Sequence, residues 1–486
     1  MNPPSNPKTV EDIRKNLPPV RTENGLRQQI QNRWKQSGHK IIVLDDDPTG
    51  VQTVHDIYVI TDWNKEWIRR GLVDDRHVLY ILTNTRSYQP ERAAEINRQI
   101  MHNLVEVTRE LAIDFSVISR GDSTLRGHYP LEVEVIQHKL SRDAGLEFDG
   151  HLIIPAFMEG GRYTINDTHY LQEGDTLVPV HDTEFAKDVV FEFSNAHLPS
   201  WVVEKGGAEA VDQVVTISLE DIRLGGVVRV HSILLAAAGN KPIIVNAASY
   251  EDLDILSVAL IRALEMGKRF LFRTAASFVK SFAGIEDRPF LAPDEMTAAE
   301  GKNHGGLIIA GSHTKKTTEQ LQEVMDQFDI QTIEISVAEL LDEAARIQEL
   351  ARVRELAEAA IASGRDAVIY TSRKLVTAMD NSKNLTISQT ISNSLAEVVR
   401  SLAITPKFIV AKGGITSSDI ATQGLAIKKA KVLGQAASGI PVWLTGSEAH
   451  FPNTPYIVFP GNVGNRFTLA EIIGKIKNRT KEERGA

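Results

Sequence analysis

"IIVLDDDPTG", residues 41 to 50, carries a β-branched apolar run straight into three aspartates, a proline, a threonine and a glycine. The apolar run suits a buried strand, and the proline and glycine suit the turn that follows it. Adjacent carboxylates repel and raise one another's pKa, so Asp45, Asp46 and Asp47 need a reason to stand together. In an open α/β sheet, ligands bind in the crevice outside the carboxyl ends of the strands. The reading therefore turns on whether the rest of the chain repeats this pattern.

It does. Short apolar runs recur as "DIYVITD", "HVLYILTN", "DFSVISR", "HLIIPAF", "VVTIS", "KPIIVNA" and "RFLFRTA", up to about residue 276. Helix-like segments such as "QPERAAEINRQIMHNLVEVTREL" lie between them. Alternation of this kind predicts a largely parallel sheet with helices on its faces. Residues 281–304 break the rhythm with prolines, glycines and mixed charge, and read as a linker. A second series follows in "GGLIIAGS", "QTIEISV", "DAVIYTS", "KFIVAKGG", "AKVLGQ", "PVWLTG" and "PYIVFPG". Across 337–362, Val337, Leu340, Leu341, Ala344, Ile347 and Leu356 fall on one helical stripe, which predicts a core-facing helix. The expected architecture is α/β: two α/β domains, each with a mostly parallel sheet flanked by helices, and an active-site cleft between them. The boundaries are an arm with a short helix at 1–38, a first domain at 39–280, the linker at 281–304 and a second domain at 305–478.

The bulk composition narrows the function classes. At 486 residues the chain is too long for one ordinary core, in keeping with two domains. Lys and Arg number 54 against 63 Asp and Glu, and the net charge of -9 gives no help to nucleic-acid or anionic-membrane binding. Cysteine is absent, which excludes disulfides, thiolate metal sites and cysteine nucleophiles. No leader-like segment and no apolar run of membrane-spanning length occurs, so a cytoplasmic protein without nucleic-acid or membrane partners is expected. A homodimer is left open, because a dimer interface looks like any amphipathic helix face.

Three strand ends in the first half are polar: "VLDDDPTG", "LTNTRSY" (82–88) and "SVISRGDSTLRGHYP" (116–130). Ser119, Arg120, Asp122, Ser123, Thr124 and Arg126 crowd the last of these, with Gly121 and Gly127 letting the backbone turn. Two guanidinium forks beside hydroxyls are what a carboxylate ligand needs, and Asp122 is placed to accept a proton from an alcohol. The plain alternative is a charge-paired loop in which Asp122 is neutralised by Arg120 or Arg126; three polar strand ends in one domain favour a site. The aspartate cluster is suited to activating a hydroxyl or to holding Mg²⁺ through water. "GGRYTINDTHY" (160–170) adds Arg162. His128 and His169 are given structural roles, since a lone histidine is more often a hydrogen-bonder than a catalyst.

In the second half the strand ends carry glycines with hydroxyls: "AGSHTKKT" (310–317), "AKGGITSSD" (411–419) and "FPGNVGN" (459–465). Glycine lets backbone N–H groups approach a phosphate, and Ser or Thr adds a donor. Neither the Walker-A pattern nor the dinucleotide fingerprint occurs, so hydride transfer loses ground and ATP bound in a non-Walker manner gains it. Lys315 and Lys412 are the cations at hand for phosphate, although a lysine beside a glycine turn is more often solvated.

Together "DDDPTGVQTVHD", "SRGDSTLRGHYPLE", "GSHTKKT", "KGGITSSD" and "FPGNVGN" resemble the four-carbon acid sugar kinase family, in the expected order across residues 40–475. The resemblance implies an amino-terminal sugar-acid-binding domain and a carboxyl-terminal nucleotide-binding domain. It also implies ATP-dependent phosphorylation of the terminal hydroxyl of threonate, erythronate or 3-oxo-tetronate, with Mg²⁺ accompanying the ATP. By motif it assigns Asp46, Arg120, Asp122, Ser123 and Arg126 to the sugar-acid site, where Asp47 and Arg162 join them from the residue reading. It assigns Ser312, Gly413, Gly414, Thr416 and Gly461 to ATP, with Ile415 standing where some members carry an acidic residue. No dedicated protein metal site is expected.

Within that reading Arg120 and Arg126 clamp the substrate carboxylate. The two catalytic candidates are Asp122, taken as the base, and Asp46, taken as a substrate or Mg²⁺-water ligand. Charge environment alone favours Asp46 as the base; proximity to the carboxylate clamp decides for Asp122. If the first strand extended through the cluster, alternation would send Asp46 to one face and Asp45 and Asp47 to the other. Two rivals keep the same fold: a metal-assisted hydrolase or aldolase using Asp45 to Asp47, and a non-catalytic nucleotide- or sugar-acid-binding protein. Which acid is bound, and its stereochemistry, no residue names.

Overall fold

The computed structural model describes residues 8–299, 303–312, 314–373, 381–461 and 463–482. Parts of the arm and of segment 281–304, and His313 and Asn462 of the quoted motifs, lie outside the described residues. The chain divides into two compact units, Met1–Val54 with Trp63–Asp287, and His55–Asp62 with Arg288–Ala486. Each is an α/β unit built on a sheet flanked by helices, as the strand–helix alternation requires.

The first unit's sheet is parallel throughout. Its order is Val215–Ile217, Lys241–Val245, Gly150–Ile154, Phe270–Thr274, Phe115–Arg120, Lys40–Asp45 and Val78–Leu82. Helices cover both faces of such a sheet, so its strands are continuous apolar runs; Ile41, Ile42 and Val43 are fully buried. Within this sheet the strand that follows Lys40–Asp45 in the chain is Val78–Leu82 on one side, and the next is Phe115–Arg120 on the other. That reversal opens a crevice at the carboxyl ends of Lys40–Asp45 and Phe115–Arg120, where an α/β sheet takes its ligand.

The second unit repeats the device. Leu307–Ala310 is flanked by Asp366–Thr371, with Ile330–Ile335 beyond it, and on its other side by Ile409–Lys412 and then Pro455–Phe459, all parallel. The switch therefore falls between Leu307–Ala310 and Ile409–Lys412. Ile440–Thr445, Lys429–Ala437 and Ile57–Ile60 then extend this sheet antiparallel. Ile57–Ile60, from "DIYVITD", is grouped with the second unit and pairs antiparallel with Lys429–Val432.

Other local expectations change for identifiable reasons. The helix expected across 337–362 is two helices, Val337–Leu341 and Glu343–Ala362, because Asp342 leaves the helical conformation and caps the second one. Its carboxylate accepts from Ala344 N at 3.0 Å and Ala345 N at 2.9 Å. The break shifts the phase of the stripe: Val337 and Leu340 are buried, whereas Ile347 is 73% exposed and Val353, Ala357 and Ile361 face the core instead. "GGRYTINDTHY" holds a hairpin, Arg162–Ile165 against Thr168–Glu173, turned by Asn166 and Asp167, both with positive φ. Thr176–Pro179 and Lys8–Thr9 complete that small antiparallel sheet. Within 281–304, Leu291 and Met296 are fully buried in the core of the second unit. No described helix is long and apolar enough to cross a membrane.

The arm also carries a docked helix, Leu26–Ser37. Trp34 is 3% exposed, donates from its indole to Phe282 O at 2.5 Å and meets the Phe282 ring edge-on at 5.0 Å. Truncating such a side chain leaves a cavity and an orphaned carbonyl, so Trp34→Ala is expected to destabilise the chain by about 3–5 kcal/mol. Urea unfolding checks this; a loss below about 0.5 kcal/mol, the range of ordinary surface substitutions, would mean that the helix contributes no core.

Candidate active site and nucleotide cradle

The first strand ends at Asp45, so alternation does not govern the aspartates that follow. Asp46 N donates to Arg120 O at 3.2 Å, and Asp47 turns the chain by accepting from Thr49 N at 2.8 Å. All three carboxylates are met by guanidinium groups. Arg120 Nη1 lies 3.0 Å from Asp45 and 3.5 Å from Asp46. Arg86 Nη2 lies 2.6 Å from Asp47 and 3.5 Å from Asp46, while its Nη1 lies 3.1 Å from Asp122. Arg126 Nε holds the other Asp122 oxygen at 2.8 Å, and Thr124 donates to that same oxygen. The switch point thus brings together Asp46, Asp47, Arg120, Asp122 and Arg126 from the sequence reading.

A second layer fixes these groups. Arg273, inside the Phe270–Thr274 strand, pairs with Glu132 at 3.0 Å and donates to Arg126 O at 3.1 Å. A β-carbon at Gly121 would stand 2.2 Å from the Arg273 guanidinium carbon, and one at Gly127 (φ +120°) 2.5 Å from its Nη2. The glycines expected to let the backbone turn are also needed for this guanidinium to fit. Ser123 is buried, and its carbonyl accepts from His169 Nε2 at 2.7 Å. Burial pushes the His169 imidazole down to about 4, in keeping with a structural hydrogen-bonder. His128 likewise donates to backbone carbonyls, of Thr85 at 3.1 Å and Tyr88 at 3.0 Å.

The electrostatics separate the aspartates. Burial raises Asp45 to about 7 against the opposing pull of Arg120. Burial also raises Asp46, outweighing Arg86, Arg120 and Arg273. Burial works the same way on Asp122, but there Arg86 and Arg126 win and hold the carboxyl well below the usual range. Asp47 is lowered too, because Arg86 and the Thr49 hydrogen bonds outweigh its burial. Asp46 Oδ2 is buried and has no hydrogen-bond partner among the described residues. Arg162 lies close enough to feel Asp122 and Arg126, its Nε is buried without a partner, and no described carboxylate pairs with it. Among the described residues no group of three His, Asp or Glu side chains is placed to hold a metal ion. The aspartates face guanidinium groups instead, so a protein-held Mg²⁺ does not fit here.

The second unit brings its glycine-rich strand ends together. Gly413 has φ +112°, which favours glycine; a β-carbon there would lie 3.5 Å from Thr416 Oγ1 and 3.7 Å from Ser312 Cβ. One at Gly461 would lie 4.0 Å from Gly413 Cα. Ser312 Oγ accepts from Thr317 Oγ1 at 3.3 Å, and Gly414 opens the short Gly414–Asp419 helix. The Ile415 side chain is 58% exposed. The arrangement fits a phosphate chain in contact with backbone N–H groups. Lys315 is exposed beside Glu319, whereas Lys412 is fully buried and turned into the fold, not solvated.

Sequence reasoning passed over Arg86, Arg273 and Glu132 as parts of these sites. Arg86 sits in "LTNTRSY", a polar strand end already singled out, and Arg273 is a charge inside an apolar strand. A buried charge of that kind signals a partner.

Residues 41–282 match the family described as "Sugar-binding N-terminal domain", and residues 307–469 match "Nucleotide-binding C-terminal domain". The class is thus a sugar-binding unit followed by a nucleotide-binding unit. The chain belongs to the four-carbon acid sugar kinase family. Among solved structures it is similar to Haemophilus influenzae protein HI1011, of family DUF1537, with TM-score 0.61 and 17% identity over 90% of this chain and 100% of that one. It is also similar to a Salmonella typhimurium LT2 protein described provisionally as a tRNA synthase, with TM-score 0.65 and 16% identity over 89% and 98%. At these identities the likeness shows the fold alone. No curated protein matches the sequence.

Arg86 is the cation shared by Asp46, Asp47 and Asp122, so Arg86→Met leaves buried charge uncompensated and should cost about 3–5 kcal/mol at neutral pH. Asp47 and Asp122 are held below their ordinary value of 3.8, so the stability they lend is present above that value and lost as pH falls through the lowered values. The gap between wild type and Arg86→Met should therefore narrow on acidification. A pH-independent gap in denaturant midpoints would count against this pairing.

Proposed function

We propose that the protein is an ATP-dependent kinase that phosphorylates the terminal hydroxyl of a four-carbon sugar acid. The paired sugar-binding and nucleotide-binding matches support the reaction class. One observation carries the assignment of roles: a buried aspartate of raised pKa, Asp46, keeps an oxygen without a partner among the described residues.

A general base must reach its proton and hold enough affinity to take it. Asp122 fails the second condition, since two arginines keep it ionised and both its oxygens are occupied. The base role assigned to it from sequence passes to Asp46. The substrate carboxylate then needs a cation that is not already neutralised. Arg120 and Arg86 are engaged by aspartates, and Arg126 by Asp122 and, at 3.6 Å, by Asp188. Arg162 is the guanidinium left, and it takes the carboxylate, with the outer edge of Arg126 beside it. Ser312, Gly413, Gly414, Ile415, Thr416 and Gly461 line the nucleotide site.

ATP supplies the phosphoryl group when bound. The hydroxyl proton passes to Asp46 Oδ2 while the hydroxyl oxygen takes the γ-phosphoryl group and ADP departs; positioning and charge neutralisation do most of the catalysis. Mg²⁺ enters with the nucleotide, not on the aspartates. The guanidinium surroundings of Asp45, Asp46 and Asp47 speak against a metal-assisted hydrolase or aldolase, because they repel the cation such chemistry needs.

A coupled ADP-release assay on a panel of four-carbon sugar acids, with titration calorimetry for ATP, tests the reading. Turnover without nucleotide would favour the hydrolase or aldolase, and binding without turnover a sensor. Asp46→Asn should lower kcat by about two to four orders of magnitude with little change in sugar-acid affinity. The acid limb of the kcat profile should lie above the ordinary aspartate range, as the raised Asp46 requires. Arg162→Met should weaken sugar-acid binding by about ten- to a hundredfold and leave ATP affinity alone. Should Asp122→Asn give the pure turnover loss and Asp46→Asn the binding loss, the two roles are reversed.

A further inference from the structure

Lys412 ends the Ile409–Lys412 strand, directly before the Gly413 turn, and is fully buried. Its Nζ donates to Pro460 O at 2.9 Å and to Gly461 O at 3.4 Å, and stands 4.2 Å from the centre of the Phe459 ring. No carboxylate pairs with it among the described residues. The charged group that faces it is Lys316, on the Lys315–Gln327 helix, and is of like sign. A buried ammonium with two carbonyls, a ring face and no anion is under-compensated. The described residues supply no negative charge to offset it.

The peptide geometry shows where that charge belongs. In a trans peptide the C=O and N–H bonds point in opposite directions. With the Pro460 carbonyl drawn inward to Lys412, the N–H of Gly461 is turned outward. That N–H donates to no described residue, and Gly461 faces Gly413 across the cradle. We infer that Lys412 is a positioning residue for the nucleotide's phosphates: its ammonium group fixes the Pro460–Gly461 peptide so that the Gly461 N–H faces the phosphate chain. Its buried charge is completed when that anion arrives. This rests on the second unit taking ATP, as proposed above.

A proton should follow. Burial, aided by Lys316, pushes the Lys412 amine down to about 7 in the free protein. A polyanion brought near favours the charged form and raises that value, so ATP binding around pH 7 to 8 should draw a proton onto Lys412. A lysine that only fills space would take up none.

Calorimetry of ATP binding in two buffers of different ionisation enthalpy reads the proton directly. Wild type should take up a proton fraction that Lys412→Met lacks, the nucleotide's own titration cancelling between the two. Lys412→Met should also bind ATP about ten- to a hundredfold more weakly. Lys412→Gln keeps a neutral donor for the carbonyls; it should recover part of the affinity and none of the proton uptake. Far-UV circular dichroism and unchanged sugar-acid affinity establish that each variant folds. Should neither fold, wild type alone still decides at pH 8, where free ATP is already ionised and uptake must come from the protein. Absence of uptake there, or equal ATP affinity in folded Lys412→Met, overturns the inference. Failure of wild type to bind ATP at all brings down the nucleotide reading itself, and the inference with it.

Discussion

Carboxylates can be buried at a strand end only if guanidinium groups arrive from elsewhere in the chain, and the first unit is organised around that requirement. Asp45, Asp46 and Asp47 leave one strand; Arg120 ends the neighbouring strand, and Arg86 follows the strand on the other side. Isolated buried charges would cost many kcal/mol, whereas these sit within hydrogen-bond or ion-pair reach of cations. Close approach of the cations demands bare backbone, hence glycine where Arg273 passes Gly121 and Gly127, and at Gly50, where a β-carbon would stand 2.1 Å from the Asp45 carboxylate. What looks like a run of repelling charges in one dimension is an alternating lattice of opposite charges in three.

Both units place their polar residues by the same topological device. A strand whose successive crossovers leave in opposite directions opens a crevice at its carboxyl end. In the first unit the crevice collects aspartates and arginines; in the second it collects glycines and hydroxyls. A sugar acid offers hydroxyls and one carboxylate, and rewards rigid charged side chains. A triphosphate offers a row of anionic oxygens, and rewards backbone N–H groups at close range. Under the proposed function, the two compositions follow from two kinds of ligand served by one architecture.

Much of this was legible from spacing alone. Strand–helix alternation and strand-end polarity located both crevices, because the apolar period and the turn residues are local signals. What escaped was non-local. Nothing within "DIYVITD" says that Ile57–Ile60 pairs with Lys429–Val432, some 370 residues further on in the chain. The stripe across 337–362 ignored the ability of Asp342 to end one helix and cap the next. Arg86 and Arg273 could be seen, but their partners could not, because ion pairs between strand ends are set by sheet order and sheet order is not written in the local pattern. The partners of the two arginines expected to clamp a carboxylate were hidden for the same reason: Arg120 and Arg126 pair with aspartates of their own protein.

The arginines that make burial tolerable also divide the aspartates by chemical capacity. A carboxylate with enough positive charge around it is a settled anion, useful for holding other groups and poor at accepting protons. Asp122 and Asp47 have reached that state. Asp46 shares its arginines with neighbours at longer range, 3.5 Å to each, so burial prevails and its proton affinity rises. Its second oxygen has no partner among the described residues. In the proposed reaction, the proton affinity of the base comes from incomplete compensation of one member in a cluster that is otherwise neutralised. Lys412 shows the inverse case in the second unit, a buried amine with no anion supplied by the described residues. In each unit the group with unmet electrostatic need lies at the switch point, and the ligand chemistry that would meet it is of opposite character: a hydroxyl proton for the aspartate, a phosphate for the lysine.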